Sequence, residues 1–131
     1  MSTEIYKKRQ EDLKSVLGEK GLDGILITNL TNIRYISGFT GSAASCLVTP
    51  AGQYFITDGR YIEQSKSQVK SFDRFIGVDS HLKQIKDNKL NPDGLKIAFE
   101  ADHMSYSLYE KMKNLLDFQS SFPLEKGYRL Y

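Results

Sequence analysis

The feature that most constrains this chain is the run Gly24-Ile25-Leu26-Ile27-Thr28, short, nearly continuous in apolar residues, and set between two segments of helical periodicity. A strand of that composition is buried on both faces, so it belongs inside a sheet with structure layered on either side. Ahead of it, Glu4 to Lys20 are mostly helix formers, with Tyr6, Leu13, Val16 and Leu17 on one face and Gly21 placed to end the last turn. After it, Asn29 to Gly38 opens on capping residues, carries Ile33 and Ile36 at helical spacing and closes on a glycine, which predicts one short helix.

The same alternation continues along the chain. Ala43 to Thr49 and Gln53 to Thr57 are joined by Pro50-Ala51-Gly52, with proline second and glycine fourth in the turn, and predict a β-hairpin. Asp58 can cap a following helix whose Tyr61, Ile62, Ser65 and Val69 form the inward stripe, while Glu63, Lys66 and Lys70 face water. A strand from Phe72 to Val78 is expected next, then a helix from Ser80 with Leu82 and Ile85 inward. A turn at Asn91-Pro92-Asp93-Gly94 leads into a strand from Leu95 to Phe99. Ser105 can cap a helix on which Leu108, Met112, Leu115 and Leu116 repeat at i, i+4, i+7 and i+8, and a short strand is expected at Asp117 to Phe122. Strands and helices that interleave around one antiparallel hairpin predict an α/β fold, a mixed β-sheet flanked by helices. The 131 residues, 40% of them apolar, suffice for one core and are expected to form a single domain over residues 1–131.

Charge and cysteine usage narrow the function classes. Eighteen Lys and Arg against sixteen Asp and Glu give a net charge of +2, with both signs interspersed, so there is no electrostatic footprint for nucleic acid or an anionic membrane. The first thirty residues hold no apolar stretch of signal-peptide length and nothing downstream reaches the length of a membrane span, so a soluble, cytoplasmic chain is expected. The single cysteine, Cys46, lies in the apolar run Ala44 to Val48 and reads as a buried reduced thiol.

No constellation of catalytic or metal-binding residues stands out. His81 and His103 have no ligand partner at a familiar spacing, and Glu100, Asp102 and His103 read as a polar loop. Ser42 or Ser45 could be combined with a histidine and Asp58, but neither serine sits in a glycine-flanked elbow. The loop Gly38-Phe39-Thr40-Gly41-Ser42 lacks the lysine of a phosphate-binding loop. Asp23, Asp58 and Glu100 stand at different element ends, which argues against nuclease chemistry on clustered carboxylates. Polar and aromatic residues do cluster at Arg34 to Ser42 and at Thr57 to Tyr61, and each cluster reads either as a site or as caps and packing.

Those two clusters carry a family resemblance. Thr31-Asn32-Ile33-Arg34-Tyr35-Ile36-Ser37-Gly38-Phe39-Thr40-Gly41-Ser42 resembles the N-I-R-Y-L-T-G-F-T-G-S stretch of Xaa-Pro aminopeptidases, prolidases and creatinases. Further on, Phe55-Ile56-Thr57-Asp58-Gly59-Arg60-Tyr61-Ile62-Glu63-Gln64 resembles F-L-T-D-x-R-Y-x-E-Q, with Ser65 where alanine is usual. Arg9, the run Leu22-Asp23-Gly24-Ile25-Leu26-Ile27 and the run Ile97-Ala98-Phe99-Glu100 agree with the same pattern.

The resemblance implies the amino-terminal domain of that family, with a ribonuclease-H-like mixed sheet, from a parent Xaa-Pro aminopeptidase that releases a residue preceding proline. It also implies that this chain carries no catalytic residue, metal or cofactor. Two divalent ions (Mn, Zn or Co) would be held by a carboxy-terminal pita-bread domain, which the chain is expected to lack: Lys126-Gly127-Tyr128-Arg129-Leu130-Tyr131 departs from the segment that opens it. The implied partners are that catalytic domain, further copies in a dimer or tetramer, and a peptide with proline second. Tyr35, Phe39, Thr40, Gly41, Ser42, Asp58, Arg60 and Tyr61 are the implied substrate-access or interface residues, with the loop Gly38 to Ser45 on the surface beside Tyr35 and the Asp58 turn. A prolidase parent and a free-standing binding module of the same fold are the alternatives.

Overall fold

The computed structural model describes residues 3–90, 94–100, 103–116 and 120–123. The apolar run becomes β1 (Gly24–Ile27), with every residue buried. It pairs antiparallel with β2 (Ser45–Thr49) on one side and parallel with β5 (Lys96–Phe99) on the other. β2 continues antiparallel into β3 (Gly52–Thr57) across the two-residue turn Pro50-Ala51, in register Thr49 to Gly52, and β3 pairs parallel with β4 (Asp73–Ile76). On the far side β5 pairs parallel with β6 (Ser120–Pro123). The six strands among the described residues thus form one mixed sheet, ordered β4-β3-β2-β1-β5-β6.

Alternation along the strands divides the core in two, because successive side chains point to opposite faces. Ile25, Ile27, Cys46, Val48, Phe55 and Ala98 pack against Leu13 and Leu17 of α1 (Thr3–Glu19) and Ile33 and Ile36 of α2 (Leu30–Ser37). Leu26, Leu47, Ile56, Ile97 and Phe99 pack against Leu82 and Ile85 of α4 (His81–Asp87) and Met112 of α5 (Tyr106–Leu116). The caps expected at Asn29 and Ser105 are made, Asn29 Oδ1 accepting from Thr31 N and Ser105 Oγ from Leu108 N, and Ser80 Oγ caps α4 by accepting from Lys83 N.

Several expected boundaries move. β2 begins at Ser45, not Ala43, and β4 ends at Ile76, not Val78. The helix expected after Asp58 is split into a 3-10 turn, Gly59–Tyr61, followed by α3 (Ile62–Gln68). Asp58 caps the tight turn through Arg60 N, and Tyr61, at φ −114° and ψ 21°, breaks the helical path before α3 starts. The inward stripe shifts with it: Ser65 is fully buried, but Ile62, expected inward, is 47% exposed. The expected turn at Asn91 to Asp93, the first part of the strand expected at Asp117 to Phe122, and Asp102 lie outside the described residues, as do the side chains of Leu115 and Leu116.

Cys46 is fully buried in β2. Desolvation, aided by the nearby Glu100 charge, pushes its thiol far above the ordinary range. We expect no labelling by iodoacetamide at pH 8 in the folded chain and full labelling in urea. Mass spectrometry distinguishes the two, and rapid labelling without denaturant would contradict the burial.

Candidate functional site

The carboxyl ends of β1, β3, β4 and β5 and the start of β2 meet at one end of the sheet, a consequence of the strand directions. The loop from Gly38 to Ala44 enters β2 there. Gly38 closes α2 in the left-handed region at φ 89°, its N–H bonded to Arg34 O. A Cβ at this position would also meet Gln68 O at 2.8 Å, so glycine is required by both conformation and space.

The rest of the loop is clamped by α3 and the 3-10 turn. Thr40 N donates to Gln68 Oε1 (2.9 Å), and Thr40 Oγ1 accepts from Gln64 Nε2 (3.1 Å) and Gln68 Nε2 (2.9 Å). Ser42 bonds the Tyr61 hydroxyl through both N (3.2 Å) and Oγ (2.5 Å), and Thr57 Oγ1 donates to Ala43 O (2.6 Å). The hydrogen bonds of the Ser42 side chain and amide to the Tyr61 hydroxyl lower its phenol pKa. Backbone so fully engaged forms a fixed ridge, with Thr40 and Ser42 exposed along it.

Beneath the ridge, Phe39 is 1% exposed, edge-on to Phe55 at 4.9 Å and to Tyr61 at 5.3 Å between ring centroids. Phe39, named with the substrate-access or interface residues, is thus placed in the core instead of on the surface of the loop: an aromatic ring at the entrance to β2 gains more from the core than from solvent. Tyr35 lies against α1, its ring 4.1 Å below the Arg9 guanidinium and its carbonyl accepting from Arg9 Nη1 at 2.9 Å. The structure thus brings Thr40, Gly41, Ser42 and Tyr61 into one cluster continuous with Asp58 and Arg60, leaves Phe39 under it, and engages Tyr35 with the opening helix.

Asp58 and Arg60 form a bidentate pair, Oδ1 with Nε at 3.0 Å and Oδ2 with Nη2 at 2.9 Å, while Oδ1 also accepts from Arg60 N. The Arg60 side-chain hydrogen bonds are the main cause that holds the Asp58 carboxyl down at about 2. A depressed folded pKa means the pair's contribution is present above the ordinary carboxylate pKa of about 3.9 and lost as pH falls through the folded value. Arg60→Met is expected to return the Asp58 carboxyl carbon titration in NMR toward the ordinary range. An unchanged midpoint would remove Arg60 as the cause.

A cleft of about 710 Å³ opens beside the ridge, lined among others by Leu30, Ser45, His81, His103, Leu108 and Lys111. Ser45 Oγ and His81 Nδ1 are 2.7 Å apart. Burial lowers the His81 pKa, opposed by the Asp58 charge. A serine–histidine–aspartate relay is nevertheless not assembled, since the Asp58 carboxylate is turned to Arg60 and makes no hydrogen bond to His81.

Gln64 and Gln68 were not singled out by sequence reasoning, and Ser45 was weighed with a histidine and Asp58 without His81 being chosen as its partner. Gln64 lay within the motif around Asp58, which was a usable signal. Nothing at the spacing of Ser45 and His81 announces their contact, because it is made across the sheet end.

A family model described as the Creatinase/Prolidase N-terminal domain matches residues 9–129. The uncharacterized peptidase YqhT of Bacillus subtilis is 42% identical over 100 residues, 76% of this chain and 28% of YqhT. The Xaa-Pro dipeptidase of Bacillus anthracis superposes with a TM-score of 0.82 at 31% identity, covering 92% of this chain and 34% of that one. A structure of an Xaa-Pro aminopeptidase from Streptococcus pyogenes superposes with a TM-score of 0.77 at 29% identity, covering 94% of each chain. The chain spans 28% of the length of the curated Bacillus subtilis relative.

Proposed function

Since the chain belongs to the creatinase/prolidase N-terminal domain family, we propose that it serves an Xaa-Pro aminopeptidase as a non-catalytic domain that builds the oligomer and shapes substrate access. The observation that carries this reading is the clamped ridge. Thr40 and Ser42 stand exposed, their amides held by Gln68 and Tyr61 and the Thr40 hydroxyl by Gln64, a fixed shape suited to limiting what approaches a neighbouring active site.

Among the described residues no three His, Cys, Asp or Glu side chains come together to hold an ion. The two divalent ions of the proposed parent enzyme (Mn, Zn or Co) do not fit these residues, and no catalytic step is routed through them. Their ligands belong to the proposed catalytic domain, which is also the principal partner, together with further copies of the chain in a dimer or tetramer and a peptide with proline second. A cytoplasmic setting belongs to the same reading, supported by a single cysteine held buried and unpaired.

The test is kinetics on the protein that includes the catalytic domain, comparing Xaa-Pro dipeptides with longer peptides that begin Xaa-Pro. Thr40→Ala and Ser42→Ala should change KM or length selectivity while the oligomer and melting temperature persist. Unchanged kinetics in an intact oligomer would defeat the access role. A second reading, a dipeptidase parent, is favoured by the similarity to the Bacillus anthracis Xaa-Pro dipeptidase. Turnover of dipeptides alone would select it, and a longer protein without metal-dependent turnover of either would select the binding module.

A further inference from the structure

β1 and β5 are adjacent and parallel, yet their chains leave to opposite faces of the sheet. β1 runs into α2, whose Ile33 and Ile36 belong to one core layer, whereas β5 leads to α5, whose Met112 belongs to the other. Such a divergence opens a crevice at the carboxyl ends of the two strands, where open α/β sheets receive their ligands. The 710 Å³ cleft is at this place, with Leu30 at the start of α2 and with His103, Leu108 and Lys111 before and along α5. Its volume lies within the range of small-molecule sites.

The chemistry of the walls is uneven. At the α2 side, the amides of Thr28 and Asn29 are already occupied by the Glu100 carboxylate at 2.6 and 2.9 Å. On the other side, the titratable groups lining the cleft among the described residues are His81, His103 and Lys111, with no carboxylate between them. Nδ1 of His81 is occupied by its hydrogen bond with Ser45 Oγ, which leaves Nε2 as the ring nitrogen open to a ligand, a donor in the tautomer in which Nδ1 accepts. Leu30, Leu82, Leu108, Ala43 and Ala44 supply an apolar wall.

We propose that this cleft is a binding site for a small organic acid, a compact apolar chain ending in one carboxylate that bonds Lys111 and the imidazole donors. The site shares Ser42 with the ridge but does not include Thr40, and it does not depend on the parent enzyme's activity. It is tested on the 131-residue chain by amide NMR titration with hexanoate, 1-hexanol and hexylammonium, which share the apolar chain and differ in charge. Hexanoate is expected to saturate shifts at Ala44, His81, Leu108 and Lys111, with at least about fivefold higher affinity than 1-hexanol. Lys111→Met should weaken hexanoate by about fivefold or more and leave 1-hexanol unchanged, the amide spectrum itself reporting that the fold persists. Equal affinity for hexanoate and 1-hexanol, preference for hexylammonium, an unaffected Lys111→Met variant, or no saturable shift at these residues would each overturn the proposal.

Discussion

Replacing Phe39 by alanine is expected to destabilise the domain by about 3–5 kcal/mol, the usual cost of emptying a buried aromatic site. The ring is almost fully buried and meets Phe55 and Tyr61 edge-on, so its removal takes away apolar burial and two aromatic contacts together. For a chain of this size that loss corresponds to a drop in melting temperature of roughly 10–20 °C. Phe39→Leu, which refills most of the volume, should recover much of it. Circular dichroism melts of the three proteins decide the matter, and a Phe39→Ala variant that melts like the parent would show the ring to be dispensable to packing. Because Tyr61 rests on Phe39 and holds Ser42, the same cavity should also loosen the ridge. Altered kinetics in a Phe39 variant would then reflect a displaced ridge, whereas at Thr40 and Ser42 the amide bonds to Gln68 and Tyr61 remain when the exposed side chains are cut back.

Glu100→Ala is expected to cost about 2–4 kcal/mol, whereas Glu100→Gln should cost much less. The buried carboxylate accepts from Thr28 N at 2.6 Å, Asn29 N at 2.9 Å and Asn32 Nδ2 at 2.6 Å, tying the end of β5 to the entrance of α2. Alanine leaves these donors without an acceptor, and the penalty is that of stranded buried polar groups. Glutamine keeps one oxygen for the two amides and turns an NH2 toward Asn32. The Asn32 amide can answer by rotating its Oδ1, which is buried without a hydrogen-bond partner in the present orientation. Equal damage from both substitutions would mean that the negative charge at the α2 end matters more than the hydrogen bonds. Urea unfolding of both variants separates the two accounts.

Most of the fold was legible because it rests on local signals. The run Gly24 to Thr28 could be little other than a central strand, Asn29 and Gly38 bracket α2 as a cap and a left-handed stop, and Pro50-Ala51 sets a two-residue hairpin turn. The two motifs around Gly38 and Asp58 were likewise visible, and the chain's membership of the family bears out what they resembled. Less was visible after Asp58, where a helix was expected at once. A capping aspartate signals that a turn begins but not whether it is 3-10 or α, and that choice moved Ile62 from the core to the surface.

What the sequence by itself determined is therefore the alternation of strand and helix, the apolar face of most elements and the location of two unusual loops, all consequences of periodicity and turn chemistry over a few residues. The tertiary structure alone decided which side of those loops faces water. Phe39 and Thr40 are neighbours in sequence, yet one is sealed between Phe55 and Tyr61 while the other is held out by Gln64 and Gln68, residues more than twenty positions away. The same holds for the cleft: Ser45 and His81 meet only because β2 starts, and α4 follows β4, at one end of the sheet. Contacts between distant segments depend on strand order and on the face to which each crossover departs, and neither leaves a periodic trace in the chain.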